Sequence, residues 1–223
     1  MENRFAVIFD VDGTMVNNTT FHKNAWLTLT ARYGVKMTER DYHEKIHARS
    51  NDRIIRGLFG DDTDAATIQR IADEKEDLYR SSFASHLREI PGLTRLLEEL
   101  EKMGIPCGAA SNSPKGNVDF VLDGLGIRRF FKTVIDRDML KIGKPDPEGL
   151  LRVAAELGYP AGKCLVFEDS SSGFQACRNA KMKYIAITVG TDPAELQEAY
   201  NALALLKDYM SLDCKRLMEY LQK

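Results

Sequence analysis

No stretch of this 223-residue sequence approaches the roughly 20 consecutive apolar residues that a helix needs to cross a bilayer. The first apolar run, Phe5-Ala6-Val7-Ile8-Phe9, stops at Asp10 after five residues, so no signal peptide is expected and no membrane partner either. Cysteine is sparse and unclustered. Cys107, Cys164, Cys177 and Cys214 form no Cys-x-x-Cys pair, and Cys107 and Cys164 sit in apolar runs where a thiol is a small hydrophobe. Structural thiols in a reducing compartment, and hence a cytoplasmic protein, are expected. A basic excess is also missing: the formal net charge is −2, which argues against the electrostatic footprint of a nucleic-acid binder. There are no internal repeats or low-complexity segments, and no obligate protein partner is evident.

What is present suits a sizeable core: 43% of residues are hydrophobic, and the length fits one large domain or one domain carrying an insertion. The run from Phe5 to Phe9 reads as a strand covered on both faces. From about Thr19 to Leu87 no strand is convincing. Helical spacings such as Phe21/Ala25/Leu29 and Ile68/Ile71/Ala72 dominate, with a turn expected at Gly57, Gly60 and Asp61-Asp62. From Pro91 onward the pattern alternates. Helices are expected over 93–103, 116–125, 147–157 and 172–180, strands over 105–110, 133–135, 164–167 and 184–189, and late helices over 193–199 and 212–222. Strands alternating with helices predict an α/β fold, a doubly wound parallel sheet with a Rossmann-like core. The expected division is a core of residues 1–17 and 88–223 with an inserted all-helical domain of residues 18–87.

Polar residues collect where those strands end, which is where open α/β sheets place ligands. Asp10 and Asp12 in Asp10-Val11-Asp12-Gly13-Thr14 lie two apart, so strand period would send both side chains the same way and invite a hard divalent cation between them. Asp-Gly is also an ordinary turn dipeptide. Ser111-Asn112-Ser113 follows the strand that ends at Ala110, offering a hydroxyl and free backbone N–H groups to an anion, or simply an N-cap. Lys144 precedes Pro145, which restrains the backbone that aims it. Alone, a lysine in that place reads as surface. Glu168-Asp169 is a second acidic pair on a second strand end, followed by Ser170-Ser171-Ser172-Gly173.

The order Asp-x-Asp-Gly-Thr, serine, Lys-Pro, Glu-Asp, each at its own strand-to-helix junction, resembles the haloacid dehalogenase superfamily of phosphotransferases. Within it the chain is similar to the helical-cap branch that includes beta-phosphoglucomutase and related sugar-phosphate phosphatases. The resemblance spans essentially the whole chain. It implies Asp10 as the nucleophile that becomes an aspartyl phosphate, and Asp12 as the acid/base. It implies Mg2+ held by Asp10, the backbone carbonyl of Asp12, and Asp169, with Glu168 direct or through water. It assigns the phosphoryl oxygens to Ser111 and Lys144, aided by Thr14 and Asn112.

The same resemblance implies a mobile cap that controls water at the aspartyl phosphate, with hinges near residues 14–18 and 86–91. Asn17-Asn18 stands where the mutase hinge carries an aspartate. His22, in the His-x-x-x-Trp spacing with Trp26, and Lys75 match cap residues that meet substrate in the mutase, although both also read as ordinary helix-surface residues. Asn51 replaces the mutase arginine that grips a second phosphate; Arg49 and Arg53 flank it, and Ala48 replaces a glycine of the specificity segment. Loss of that clamp favours a Mg2+-dependent phosphatase of a small phosphorylated metabolite, a hexose phosphate first, over a phosphohexomutase. A non-catalytic metabolite-binding module is the remaining alternative.

Overall fold

The computed structural model describes residues 5–46, 50–190 and 193–222. In chain order the elements are β1 (Ala6–Phe9), α1 (Thr19–Arg32), α2 (Glu39–Lys45), α3 (Asn51–Phe59), α4 (Ala65–Phe83), α5 (Leu93–Lys102), β2 (Cys107–Ala110), α6 (Lys115–Gly124), β3 (Phe131–Ile135), α7 (Glu148–Leu157), β4 (Cys164–Glu168), α8 (Ser171–Ala180), β5 (Lys183–Ile187), α9 (Pro193–Glu198), β6 (Leu205–Leu206) and α10 (Cys214–Gln222). They form two compact units, Asn18–His86 and the remainder of the chain.

The larger unit is built on one parallel sheet in the order β3-β2-β1-β4-β5-β6. β1 is apolar at every position and wholly buried, as a central strand covered on both faces requires. The chain reverses its direction of travel across the sheet at β1, the kind of switch point where open α/β sheets place their ligands. Register levels those ends: Phe9 pairs with Ala109 on one side and with Phe167 on the other. Helices pack by apolar stripes. In α5, Leu93, Leu96, Leu97 and Leu100 are buried at the i, i+3, i+4, i+7 spacing that lines one helical face. Against the sheet, Ile8, Val153, Val166 and Phe174 belong to one buried cluster, and all four cysteines are buried and free.

The smaller unit is all helical. Trp26, Leu29, Tyr42, Ile46, Ile54, Ile55, Ile68 and Ile71 make its core, so the single tryptophan fills an interior. Asp64 caps α4 by accepting from Thr67 N at 2.9 Å, and Thr38 and Asp41 form a capping box on α2.

Three expectations need correction. Gly57 lies inside α3 and only Gly60 ends it, because glycine is tolerated in a helix whose apolar face, here Ile54 and Ile55, is buried. The strand expected to run to Val189 stops at Ile187, and the one expected to start at Ile105 begins at Cys107, shifts of the size usual at element ends. β6 answers to no expected element: two residues are too few to show a period. Among the described residues, no helix is long and apolar enough to cross a membrane.

Candidate active site

The sheet register brings Asp10 and Glu168 side by side, since each follows a member of the Phe9–Phe167 pair. Both are buried. Lys144 Nζ reaches across to them, 2.5 Å from Asp10 Oδ1 and 2.6 Å from Glu168 Oε2. Asp169 completes an acidic group: Asp10, Glu168 and Asp169 each offer a ligand atom, and those atoms lie within 4.8 Å of one another. This donor set, carboxylate oxygens only, suits a hard divalent cation of the Mg2+ type. Burial first, then repulsion from Glu168, pushes the Asp10 carboxyl well above its ordinary value against the pull of Lys144. Burial disfavours the Lys144 ammonium, but attraction to Asp10 and Glu168 outweighs it and holds its pKa above the usual lysine value.

The partners of each group follow from local turns. Glu168 Oε1 accepts from Asp169 N at 3.1 Å, Ser170 N at 3.2 Å and Ser170 Oγ at 3.0 Å, so the residues leading into α8, Ser170 being its N-cap, hold it. Gly13 has φ +76°, and a Cβ there would sit 1.9 Å from Asp169 Oδ2. Thr14 is buried and donates its hydroxyl to Asp169 Oδ1 at 3.2 Å.

Asp12 departs from the geometry that strand period suggests. Its carboxylate accepts from the Ser113 hydroxyl and is not among the three grouped carboxylates. The reason is that β1 ends at Phe9, so alternation does not carry on to residue 12. Ser111 is buried at the end of β2, and its Oγ accepts from Ser113 N at 3.0 Å. Asn112 is exposed and grips the backbone of Lys144 twice, donating to its carbonyl at 3.2 Å and accepting from its N–H at 2.8 Å. Thus the serine triplet and the lysine loop are joined, and Asn112 aims Lys144 through its main chain.

Within the helical unit, His22, Lys75 and Asn51 share one neighbourhood. Lys75 Nζ lies 2.8 Å from His22 Nδ1 and 3.0 Å from both carboxylate oxygens of Glu76, with Lys75 and Glu76 only 3% and 5% exposed. Asn51 Nδ2 donates to Glu76 Oε1 at 2.8 Å. His22 stacks on Tyr79 at 3.7 Å between centroids, and Asn18 Nδ2 donates to the Tyr79 hydroxyl at 2.6 Å. Arg53 is exposed; Ala48 and Arg49 lie outside the described residues.

Sequence reasoning did not single out Ser113, Ser170 or Glu76. Ser113 stood beside Ser111 and Asn112, which drew attention, and Ser170 only followed the acidic pair. Glu76 read as one more charge on a solvated helix, and nothing in the spacing marks it as buried.

Among known proteins, the phosphorylated carbohydrates phosphatase of Thermotoga maritima is 31% identical over 208 residues, covering 91% of this chain and 94% of the relative. The beta-phosphoglucomutase of Bacillus subtilis is 30% identical over 195 residues, 83% of this chain and 84% of the relative. A crystal structure of a HAD hydrolase, family IA, variant 3, from Entamoeba histolytica superposes with a TM-score of 0.89 at 25% identity, covering 98% of this chain and all of that one. The chain spans 57% of the length of another relative, the chloroplastic 5-amino-6-(5-phospho-D-ribitylamino)uracil phosphatase of Arabidopsis thaliana, at 24% identity over 213 residues, 95% of this chain. Residues 7–187 match the family model of the haloacid dehalogenase-like hydrolases, and this chain belongs to that family.

Proposed function

We propose that the chain is a Mg2+-dependent phosphomonoester phosphatase of a small phosphorylated metabolite, a hexose phosphate by first preference, working through an aspartyl phosphate on Asp10. The observation that carries this reading is the Lys144 ammonium set between the buried carboxylates of Asp10 and Glu168, with Asp169 beside them. Three carboxylates against one ammonium would, once ionised, leave an excess of negative charge that repels a phosphate ester. Asp10, Asp169 and the Asp12 carbonyl would hold Mg2+, with Glu168 direct or through water. When bound, the ion would offset that charge and polarise the phosphoryl oxygens.

The chain's own groups supply the rest. An Asp10 carboxylate oxygen bonds to phosphorus as the ester P–O bond breaks, and Asp12 gives its proton to the departing oxygen. Water then attacks the same phosphorus, Asp12 takes the water's proton, and phosphate leaves with Asp10 restored. Ser113, donating to Asp12, fixes the direction of that carboxylate. Ser111 and Lys144 hold the phosphoryl oxygens, with Thr14 and Asn112 contributing, Asn112 chiefly by steadying Lys144. In-line displacement rewards this kind of positioning and charge stabilisation.

His22, Asn51 and Lys75 are proposed to select the substrate. Asn51, which stands where the mutase of the family carries a phosphate-gripping arginine, is a neutral amide held by Glu76, and Glu76 is paired with Lys75. This supports a neutral, hydroxyl-bearing leaving group, and the Thermotoga relative's named activity supports a carbohydrate. One finding favours a phosphohexomutase instead, namely the Bacillus relative.

Phosphate release from a panel of sugar phosphates, nucleotides and small organophosphates in Mg2+ tests the reading. Hexose phosphates are expected to turn over fastest. Asp10→Asn is expected to lower turnover by about 10⁴-fold or more with the circular dichroism spectrum unchanged. Turnover surviving Asp10→Asn would refute the nucleophile assignment. Isomerisation of beta-glucose 1-phosphate with trace bisphosphate, without free phosphate, would establish the mutase.

A further inference from the structure

Tyr209 lies 195 residues from Thr14 along the chain, and its hydroxyl donates to the Thr14 carbonyl at 2.8 Å. Its side chain is completely buried. The ring lies against the two strand ends that bear the acidic residues, 5.2 Å from Phe167 edge-on and 6.2 Å from Phe9. Its backbone is clamped from the other side. Tyr209 N donates to Pro91 O at 2.9 Å, and Arg95 Nη2 donates to the carbonyls of Tyr209, Met210 and Leu212 at 3.1, 3.1 and 2.7 Å. Gly92, at φ +87°, admits this segment so closely that a Cβ would stand 2.9 Å from Met210 N. A phenol held so firmly fixes whatever its hydroxyl touches.

What it touches is one step from the acidic group. Thr14 accepts from Tyr209 through its carbonyl and donates through its hydroxyl to Asp169. A buried carbonyl needs a partner, and Tyr209 provides one. We propose that Tyr209 is a positioning residue of the metal centre, fixing the Asp169 carboxylate through Thr14. The inference rests on the reading of Asp10, Glu168 and Asp169 as the metal-holding group. Partners one bond beyond metal ligands typically change metal affinity by about 10–100-fold when removed.

The test is Mg2+ binding to the full chain by isothermal titration calorimetry, with thermal melting in parallel. Tyr209→Phe keeps the ring and removes only the hydroxyl; acting one bond further out than Thr14, it is expected to raise the Mg2+ dissociation constant several-fold, short of the roughly tenfold or more that loss of a ligand's direct partner brings. Thr14→Val removes the direct partner of Asp169 and is expected to weaken binding about tenfold or more, and the double variant to be no worse than Thr14→Val alone, because both break one link. Arg95→Ala loosens the segment without touching the acidic group, and is expected to shift the dissociation constant in the same direction. It also covers the case in which Tyr209→Phe does not fold. An unchanged Mg2+ dissociation constant in Tyr209→Phe or Arg95→Ala, with only a lower melting temperature, would overturn the proposal, as would additive effects in the double variant. Failure of the parent chain itself to bind Mg2+ would overturn the metal reading and this inference with it.

Discussion

Gly13 combines a left-handed backbone, φ +76°, with the approach of Asp169 to within 1.9 Å of where a Cβ would be. Any other residue strains the backbone and displaces a grouped carboxylate at once. Gly13→Ala is therefore expected to cost about 1–3 kcal/mol of stability in denaturant titration. It is also expected to weaken Mg2+ binding by calorimetry, a paired loss that a surface glycine would not show. Glu76 makes a related point in the helical unit. It is buried, accepts from Asn51 and lies against the Lys75 ammonium, so two side chains are held in one arrangement by a carboxylate. A buried ion pair of this kind is weak evidence for net stability, because desolvation offsets much of its attraction.

At the level of single elements, α4 carries both Lys75 and Glu76, and its start is set by Asp64, which accepts from Thr67 N at 2.9 Å and Thr67 Oγ1 at 2.7 Å. Asp64→Ala leaves an orphan N–H and is expected to cost about 1 kcal/mol, read as a lower unfolding midpoint. Elements with a strong period were legible in the sequence: β1 from its unbroken apolar run, α5 from its four leucines, and the parallel order from regular alternation. The strand ends carrying Asp10, Ser111 and Glu168 were legible for the same reason, because a buried run that stops at a polar residue marks its own end. β6 was not, since two residues have no period, and Gly57 misled because its neighbours' burial overrides its own preference. The roles of Ser113 and Tyr209 were invisible for a further reason. Each depends on a bond to residues 101 or 195 positions away, and no local pattern encodes such a return.

For the molecule as a whole, the acidic group ties stability to pH and, on the proposed metal reading, to Mg2+. Burial and Glu168 raise the Asp10 pKa, so the folded state retains a proton that the unfolded chain gives up. In the window above the ordinary carboxylate value, the native state then binds more protons, and this residue's contribution to stability falls as pH rises. The Lys144 shift is also upward, so its contribution is complete below the ordinary lysine value and is lost only at strongly alkaline pH. Mg2+ needs the ionised carboxylate. The rise in melting temperature on adding Mg2+ is therefore expected to be small near about pH 4 and to grow toward about pH 7. At 100-fold excess over its dissociation constant, the ion would add about 2.7 kcal/mol. Thermal melts with Mg2+ and with chelator across that range check both the sign and the size.

β1 is the earliest strand in the chain yet stands at the middle of the sheet, between β2 and β4. During synthesis its sticky surface emerges from the ribosome first and waits for partners encoded about a hundred residues later, or more. Long-range pairing of that kind slows folding and leaves apolar segments exposed to mis-association. The helical insertion can gather its own interior meanwhile, since every residue of its aromatic and aliphatic cluster is already present. The sheet-bearing unit should thus be the slower partner in biogenesis.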